Sequence, residues 1–326
     1  MRDHGGNLDA AIAGFGGPPE DWIDLSTGIN RRPYPLPTLP REAWTALPTR
    51  SALAGLAAAA ARAYGSDAAV LPVAGAQAAI QMLPRLAPPG RARVLGPTYN
   101  EHAAALRAAG WQVAETGSIE ALAGADFAVV VNPNNPDGRR TEPDRLLALA
   151  AEVGTLVVDE SFADPHPELS LAAAAGGRRG LFVLRSFGKF YGLAGLRLGF
   201  VLGAAGDIAA LSEMAGPWPV SGAAIAIGRA ALEDTGWAGA TARRLAAEAV
   251  QLDSLAAAAG WTCLGGTALF RLYDTADAAR AQTRLAEARI WSRIFPRARG
   301  WLRLGLPGDA AEWRRLAAAL GREEAR

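Results

Sequence analysis

Alternation of short apolar runs with helical segments is the feature of this chain that most restricts its fold. Apolar runs at residues 127–131, 155–158 and 181–184 predict buried strands, and residues 146–151 predict a helix between the first two. Such alternation is typical of an α/β protein with a mostly parallel sheet covered by helices on both faces. Ligands bind such sheets at the carboxyl ends of the strands, so the residues after each run are the candidates for a functional site.

The rest of the chain contains further predicted strands and helices and one proline-rich segment, which together predict the domain organisation. Further strands are predicted at residues 93–95, 111–114, 268–273, 290–294 and 301–304, and further helices at residues 52–61, 99–109, 223–232 and 238–259. The prolines between residues 33 and 48 predict an extended segment that crosses a surface. We therefore predict an N-terminal arm over residues 1–30, a large domain over residues 31–205 and a small α+β domain over residues 206–326.

The composition indicates an ordinary soluble protein. The 33 basic and 32 acidic side chains give a net charge of +1 and no reason to expect nucleic acid as a partner. The Ala-rich run is too short to cross a membrane, and the start MRDHGGN is no secretory signal. One cysteine, Cys263, cannot form an internal disulfide, which favours the cytoplasm. We predict no membrane partner and no metal site.

Residues 186–200, SFGKFYGLAGLRLGF, contain the most specific chemical signal. Ser186 and Arg197 can converge on an anion while the amine of Lys189 reaches past it, at the end of a buried strand. The alternative is a surface lysine on a glycine-rich loop. A nucleotide-binding phosphate loop is excluded, because its first glycine and the Ser or Thr after the lysine are missing.

Polar residues also follow the other predicted strands. Asn135 lies in NPNNPDG after residues 127–131, and Asp159 begins DESF after residues 155–158. The helix predicted after Gly75 offers free backbone N–H groups to an anion, although a simple helix entry is equally consistent with the pattern. Tyr99 can stack on a flat ligand or be a half-buried core residue.

The motifs NPNNPDG, VVDESF, SFGKFYGLAGLRLGF and WLRLGLPG resemble, in order and spacing, the pyridoxal-phosphate enzymes with the aspartate aminotransferase fold (fold type I). The resemblance covers nearly the whole chain and is closest to the histidinol-phosphate aminotransferase branch. Within that branch, HGGN at residues 4–7 and Phe162, where the aminotransferases usually have tyrosine, resemble the threonine-phosphate decarboxylases of cobalamin synthesis.

The resemblance implies a role for each motif residue. Lys189 would hold the aldehyde of pyridoxal 5′-phosphate, and Asp159 would face its ring nitrogen; both are the expected catalytic residues. The other implied cofactor contacts are Ala76, Gln77, Tyr99, Asn135, Phe162, Ser186 and Arg197. The implied substrate contacts are His4, Asn30, Asn135, Arg293 and Arg303, with Arg303 on the α-carboxylate and His4 and Arg293 on the substrate phosphate. Arg293 can also be a surface strand residue, and His4 can lie in a frayed terminus.

The implied reaction is decarboxylation of O-phospho-L-threonine, a small phosphorylated amino acid, to (R)-1-amino-2-propanol O-phosphate. The alternative is an aminotransferase that acts on histidinol phosphate. A pyridoxal-phosphate-binding regulator is a third reading, but such proteins carry an additional DNA-binding domain. The resemblance also implies a homodimer, with one departure: relatives often have a Tyr-Pro pair at the interface where this chain has Leu47 and Pro48.

Overall fold

The computed structural model describes residues 4–321, which form two compact units. The larger unit contains Tyr34–Asn135 and Arg139–Gly239. The smaller unit contains residues 4–33, Pro136–Gly138 and residues 240–321. The first three residues of the predicted arm and the last five residues of the predicted small domain lie outside the described residues.

The larger unit is built on a seven-stranded sheet with the order β2-β8-β7-β6-β5-β3-β4. Its strands are β2 (Ala69–Val73), β3 (Arg91–Leu95), β4 (Gln112–Thr116), β5 (Phe127–Val131), β6 (Thr155–Asp159), β7 (Leu181–Ser186) and β8 (Gly199–Gly203). Its helices are α2 (Glu42–Thr45), α3 (Arg50–Ala63), α4 (Ala76–Met82), α5 (Asn100–Ala108), α6 (Pro143–Glu152), α7 (Phe187–Phe190), α8 (Ala205–Ala215) and α9 (Gly222–Glu233). Only β8 runs antiparallel to its neighbours, so the predicted mostly parallel α/β sheet is confirmed.

One face of this sheet packs against helices α4, α5 and α8. Side chains alternate along each strand, and Val129, Val157, Leu184 and Val201 lie on one face in a buried cluster with side chains of α4, α5 and α8. Asp159 and Ser186 are two residues beyond Val157 and Leu184, so they lie on the same face at the strand ends. Glu160 belongs to the opposite face by the same alternation.

The smaller unit contains an antiparallel sheet with the order β12-β13-β10-β9 and a separate parallel pair, β1 with β11. These strands are β1 (Ile23–Asp24), β9 (Thr262–Thr267), β10 (Phe270–Asp274), β11 (Ile290–Trp291), β12 (Arg293–Phe295) and β13 (Ala298–Gly305). Its helices are α1 (Leu8–Phe15), α10 (Thr235–Ala258), whose first turn belongs to the larger unit, α11 (Ala278–Glu287) and α12 (Ala310–Leu320). Trp22, directly before β1, packs edge to face against Phe15 of α1 and against Trp291 of β11 in a small core of this unit.

The compact units divide the chain at different places from the predicted domains. Residues of the predicted arm pair with the smaller unit through β1 and β11. Helices α8 and α9 were assigned to the small domain by their position after residue 205, but they pack on β2, β8 and α3 of the larger unit. Their apolar side chains complete the larger core, which moves the division to Gly239.

Among the helices of residues 4–321, none has the length and hydropathy of a membrane span.

Candidate active site

The carboxyl ends of β5, β6 and β7 bring four of the predicted residues to one edge of the larger sheet. Asp159 is the last residue of β6 and pairs in register with Leu184 of the neighbouring β7. Ser186 is the last residue of β7, and Lys189 lies in the one-turn helix α7 that follows. Asn135 lies four residues after β5, which is the other neighbour of β6. The Asn135 amide, the Asp159 carboxylate and the Lys189 amine thus follow three neighbouring strands of the sheet.

The Asp159 carboxylate is buried and surrounded by hydrogen-bond donors. His102 Nε2 lies 2.8 Å from Oδ2, while the Ser161 N–H and hydroxyl donate to Oδ1 over 3.0 and 2.5 Å. Burial raises the pKa of Asp159, but the hydrogen bonds from His102 and Ser161 outweigh this effect and hold the pKa below its usual range. Asp159 is therefore an anion at neutral pH in a buried position.

His102 was not found from the sequence. It lies in the first turn of α5, and its buried ring contacts that of Tyr99 at 6.2 Å between centroids. The signal that could have found it is its place three residues after Tyr99, since residues three apart share one face of a helix. Recognising its partner required the three-dimensional pairing of α5 with the end of β6.

Tyr99 precedes α5 and is half-buried at the same edge. Its hydroxyl donates to Gln77 Oε1 over 3.4 Å, and Gln77 Nε2 donates to Glu101 Oε2 over 3.1 Å. These contacts bring two predicted cofactor residues, Tyr99 and Gln77, together at the start of α4 and α5.

The start of α4 lies beside Arg197 and the end of β7. A Cβ placed on Gly75 would lie 2.7 Å from Arg197 Nη2, and one placed on Gly199 would lie 2.5 Å from the backbone nitrogen of Ala76. Ser186 is the register partner of Gly199. The structure thus brings together the four residues predicted to bind a phosphate, Ala76, Gln77, Ser186 and Arg197, or their immediate neighbours.

Arg197 itself adopts the left-handed backbone conformation, with φ 54° and ψ 52°. This conformation is uncommon for a residue with a Cβ and occurs often at binding sites. Its exposed guanidinium lies close to Gly75 at the start of α4, where an anion is also favoured by the helix dipole.

Lys189 is half-buried and its Nζ lies 5.8 Å from the centroid of the Phe162 ring, which is itself buried. The turn that carries Lys189 is tight, since a Cβ on Gly188 would lie 2.7 Å from the Cα of Ala194. Lys189 is also the only lysine of the whole chain. This half-buried position in a tight turn differs from that of a surface lysine on a glycine-rich loop.

Asn135 is half-buried and follows a residue that is fixed by side-chain hydrogen bonds. Asn134 accepts from the Thr98 hydroxyl over 2.6 Å and donates to the carbonyl of Pro97 over 2.9 Å. The loop after β5 is therefore anchored to the loop after β3, which carries Tyr99.

The predicted substrate arginines lie side by side in the smaller unit. Arg293 of β12 and Arg303 of β13 are register partners in an antiparallel pair, and the Arg303 side chain packs against the ring of Phe270 at 4.9 Å. Burial and the neighbouring Arg293 lower the pKa of Arg303 to about 9. Like charges on directly opposed strand residues repel each other, so an anion bound here would relieve that repulsion.

The N-terminal residues of the smaller unit lie next to the same arginine. Gly6 N–H donates to the Ser26 hydroxyl over 2.7 Å, and Arg303 Nη2 donates to the Ser26 carbonyl over 2.5 Å. His4 precedes this contact and is exposed, while Asn30 is buried and accepts from Arg244 Nη2 over 3.0 Å.

The family model described as "Aminotransferase class I and II" matches residues 21–320 of this chain. The chain is 47% identical over 98% of its length to a threonine-phosphate decarboxylase from Sinorhizobium sp, covering 98% of that protein. It is also 47% identical over 98% of its length to a threonine-phosphate decarboxylase from Pseudomonas aeruginosa, covering 97% of that protein. Its fold is similar to that of histidinol-phosphate aminotransferase from Sinorhizobium meliloti, solved in complex with pyridoxal-5′-phosphate. That match has a TM-score of 0.81, covers 96% of this chain and 93% of the other, and has 21% sequence identity.

Proposed function

This chain belongs to the class I and II aminotransferase family, and we propose that within it the chain is a decarboxylase of O-phospho-L-threonine that uses pyridoxal 5′-phosphate. The observation that carries this proposal is the 47% identity, over nearly the full length of both chains, to two threonine-phosphate decarboxylases. The fold and the family were both predicted from the sequence motifs, and both are confirmed.

The residues of the larger unit fit this cofactor. A phosphate needs N–H and hydroxyl donors and a positive charge, which the start of α4, Ser186 and Arg197 supply together. A protonated pyridine nitrogen needs a buried anion beside it. Asp159 is such an anion, because the hydrogen bonds from His102 and Ser161 keep it charged.

The remaining residues would contact the rest of the cofactor. Lys189 would hold the aldehyde, and Tyr99, Asn135 and Phe162 would contact the ring. When bound, the cofactor supplies an electron-accepting ring beside the substrate Cα.

Each residue would then have a task in the loss of the carboxylate. The bond from Cα to the carboxylate breaks, carbon dioxide leaves, and the electron pair stays with Cα until a proton arrives there. The negative charge of Asp159 would keep the ring nitrogen protonated during this step, which is preorganised electrostatic stabilisation. Lys189 Nζ, once the substrate amine has displaced it from the aldehyde, would deliver the proton to Cα, giving (R)-1-amino-2-propanol O-phosphate.

We assign the substrate anions to the smaller unit. Arg303 would bind the α-carboxylate, because a buried guanidinium offers paired donors to that group. Arg293 and His4 would bind the substrate phosphate, and Asn30 and Asn135 would contact the rest of the molecule. Two arginines paired across strands suit a substrate that carries two anionic groups.

The competing reaction is transamination, which would use the same residues but break the Cα–H bond. The test is to incubate the chain, loaded with pyridoxal phosphate, with O-phospho-L-threonine and to measure carbon dioxide release. Transfer of the amino group to 2-oxoglutarate is measured in parallel, with histidinol phosphate as the other substrate. Carbon dioxide release without amino transfer supports the proposal, and amino transfer without carbon dioxide release would replace it with the aminotransferase.

We further propose a homodimer in the cytoplasm. Leu36, Trp44 and Leu47 expose 64%, 69% and 65% of their surface in the proline-rich segment, which suits a face covered by a second copy of the chain. The role in cobalamin synthesis that the motifs imply stays a prediction.

A further inference from the structure

A buried ion-pair network lies behind the candidate site in the larger unit. Arg185 donates from Nη1 to Glu160 Oε2 over 2.9 Å and from Nη2 to Asp164 Oδ1 over 3.0 Å. The side chains are buried: Arg185 is 5% exposed, Glu160 0% and Asp164 7%. The Arg185 guanidinium also lies 4.2 Å from the centroid of the Tyr64 ring. We call Arg185, Glu160, Asp164 and Tyr64 the Arg185 network; none of these residues is among those that the motifs predicted.

The network joins the two strand ends that carry the reacting groups. Glu160 directly follows Asp159 at the end of β6, and Arg185 directly precedes Ser186 at the end of β7. Because side chains alternate along a strand, Asp159 and Ser186 lie on one face while Glu160 and Arg185 meet on the other. The Glu160–Arg185 ion pair therefore fastens β6 to β7 immediately behind the site, in addition to the backbone bond from Glu160 N–H to the Leu184 carbonyl over 2.9 Å.

The ion pair between Arg185 and Asp164 holds the turn after β6. Asp164 lies two residues after Phe162, and the Phe162 ring is the one that contacts Lys189 Nζ at 5.8 Å. By binding Asp164, Arg185 fixes the turn that carries this ring. One guanidinium thus links the segments of Asp159, Phe162 and Lys189.

Stability alone is a poor explanation for this arrangement. Burial raises the pKa of both Glu160 and Asp164, and Arg185 offsets only part of that increase. Asp164 Oδ2 and Arg185 Nε are buried without a hydrogen-bond partner among the described residues. Apolar side chains of similar volume often stabilise a protein as well as a buried ion pair does. We therefore expect these charges to fix the positions of the segments that they join rather than to stabilise the fold.

We propose that Arg185 is a positioning residue for the reaction at Lys189: by bridging Glu160 and Asp164 it fixes Asp159, Phe162 and Lys189 relative to one another. The proposal rests on the cofactor site that we assign above. It does not depend on which bond of the substrate breaks.

The test compares Arg185→Met with a matched control, Arg271→Met, both loaded with pyridoxal phosphate. Arg271 forms a two-point ion pair with Asp253 in the smaller unit, at 2.9 and 2.7 Å, and is not among the residues that we assign to the site. We expect Arg185→Met to lower kcat by about 10- to 100-fold with little change in KM, because small displacements of reacting groups have effects of this size. The pH at which the cofactor absorbance titrates should also shift. Arg271→Met should change neither quantity, and Arg185→Lys should restore part of the loss.

Because Arg185→Met leaves two buried carboxylates without their positively charged partner, it can fail to fold. The triple variant Glu160→Gln, Asp164→Asn, Arg185→Met removes all three charges together and keeps the volume of the side chains. We expect it to have a Tm near that of the wild-type chain, a low kcat and the same shifted absorbance titration. A triple variant with wild-type kcat and titration would overturn the proposal, and so would one that does not fold.

The absorbance titration needs no substrate, so it separates this proposal from the proposed function. A wild-type chain that releases no carbon dioxide from O-phospho-L-threonine would contradict the function, while a shifted titration in the triple variant would still support the positioning role. An unshifted titration beside normal wild-type decarboxylation would contradict the positioning role alone.

Discussion

Asp159 keeps its negative charge in a buried position because His102 and Ser161 donate hydrogen bonds to it. Asp159→Asn preserves the shape and the possibility of hydrogen bonds, so the Tm should change little. The loss of the charge that faces the cofactor ring should lower kcat by about 100-fold or more. Thermal unfolding and steady-state kinetics of the two proteins measure both effects.

His102→Phe serves as the companion variant, because it removes one of the donors but keeps the carboxylate. It should lower kcat by about 10-fold, as expected for a residue that orients a functional group. An Asp159→Asn enzyme with kcat within threefold of the wild type would contradict the role of Asp159.

The lowered pKa of Arg303 predicts how substrate binding depends on pH. Its pKa of about 9 means that the guanidinium is protonated at pH 7 and loses its proton as the pH rises through about 9. If Arg303 binds the α-carboxylate, KM should stay constant up to about pH 8 and rise above pH 9. Arg293→Gln removes the neighbouring charge that lowers this pKa, so it should move the rise in KM to higher pH. A KM that is constant up to pH 10 in the wild type would show that Arg303 keeps its proton and would contradict this pH dependence.

Most residues of the candidate site could be predicted from the sequence, because they lie in short motifs close to the ends of predicted strands. Asp159 directly follows one apolar run, Ser186 and Lys189 lie two and five residues after another, and a strand end brings its next residues to a known edge of the sheet. His102 and Arg185 could not be predicted, because each acts through a partner that is distant in sequence: Asp159 for His102, and Glu160 and Asp164 for Arg185.

At the level of elements, the junction of β2, α4 and β8 forms the proposed phosphate site. Gly75 adopts φ 76°, and a Cβ there would lie 2.7 Å from Arg197 Nη2. Gly75→Ala should therefore displace Arg197 and weaken cofactor binding by at least 10-fold. Equilibrium titration with pyridoxal phosphate measures the Kd.

Gly216 provides the control, because it adopts the same φ of 76° but a Cβ there would meet nothing within 4 Å. Gly216→Ala should lower the Tm through backbone strain and leave the Kd unchanged. Equal Kd values for the two variants would show that Gly75 has no part in a phosphate site.

The elements of the larger unit were easier to predict than those of the smaller one. Continuous apolar runs such as Phe127–Val131 identify buried strands directly. The strand β9 was missed, because its sequence TCLGGT has two glycines and little apolar pattern. The single strand predicted at residues 290–294 is divided between β11, which pairs with β1, and β12, which pairs with β13. Such a change of partner depends on contacts that are distant in sequence.

At the level of the whole molecule, the proposed homodimer should depend on the exposed apolar residues of the proline-rich segment. Trp44→Ser with Leu47→Ser should weaken association and lower the sedimentation coefficient toward that of a monomer. The double variant Leu147→Ser with Val250→Ser is the control, since these side chains are also exposed but lie outside this segment. A wild-type chain that sediments as a monomer would contradict the dimer.

Because Lys189 is the only lysine of the chain, its role can be measured directly. Borohydride reduction of the chain loaded with pyridoxal phosphate, followed by peptide mass mapping, locates the covalently bound cofactor. The account predicts one phosphopyridoxyl group per chain, on Lys189 Nζ, and none on Lys189→Ala. A reduced wild-type chain without this group on Lys189 would contradict the account.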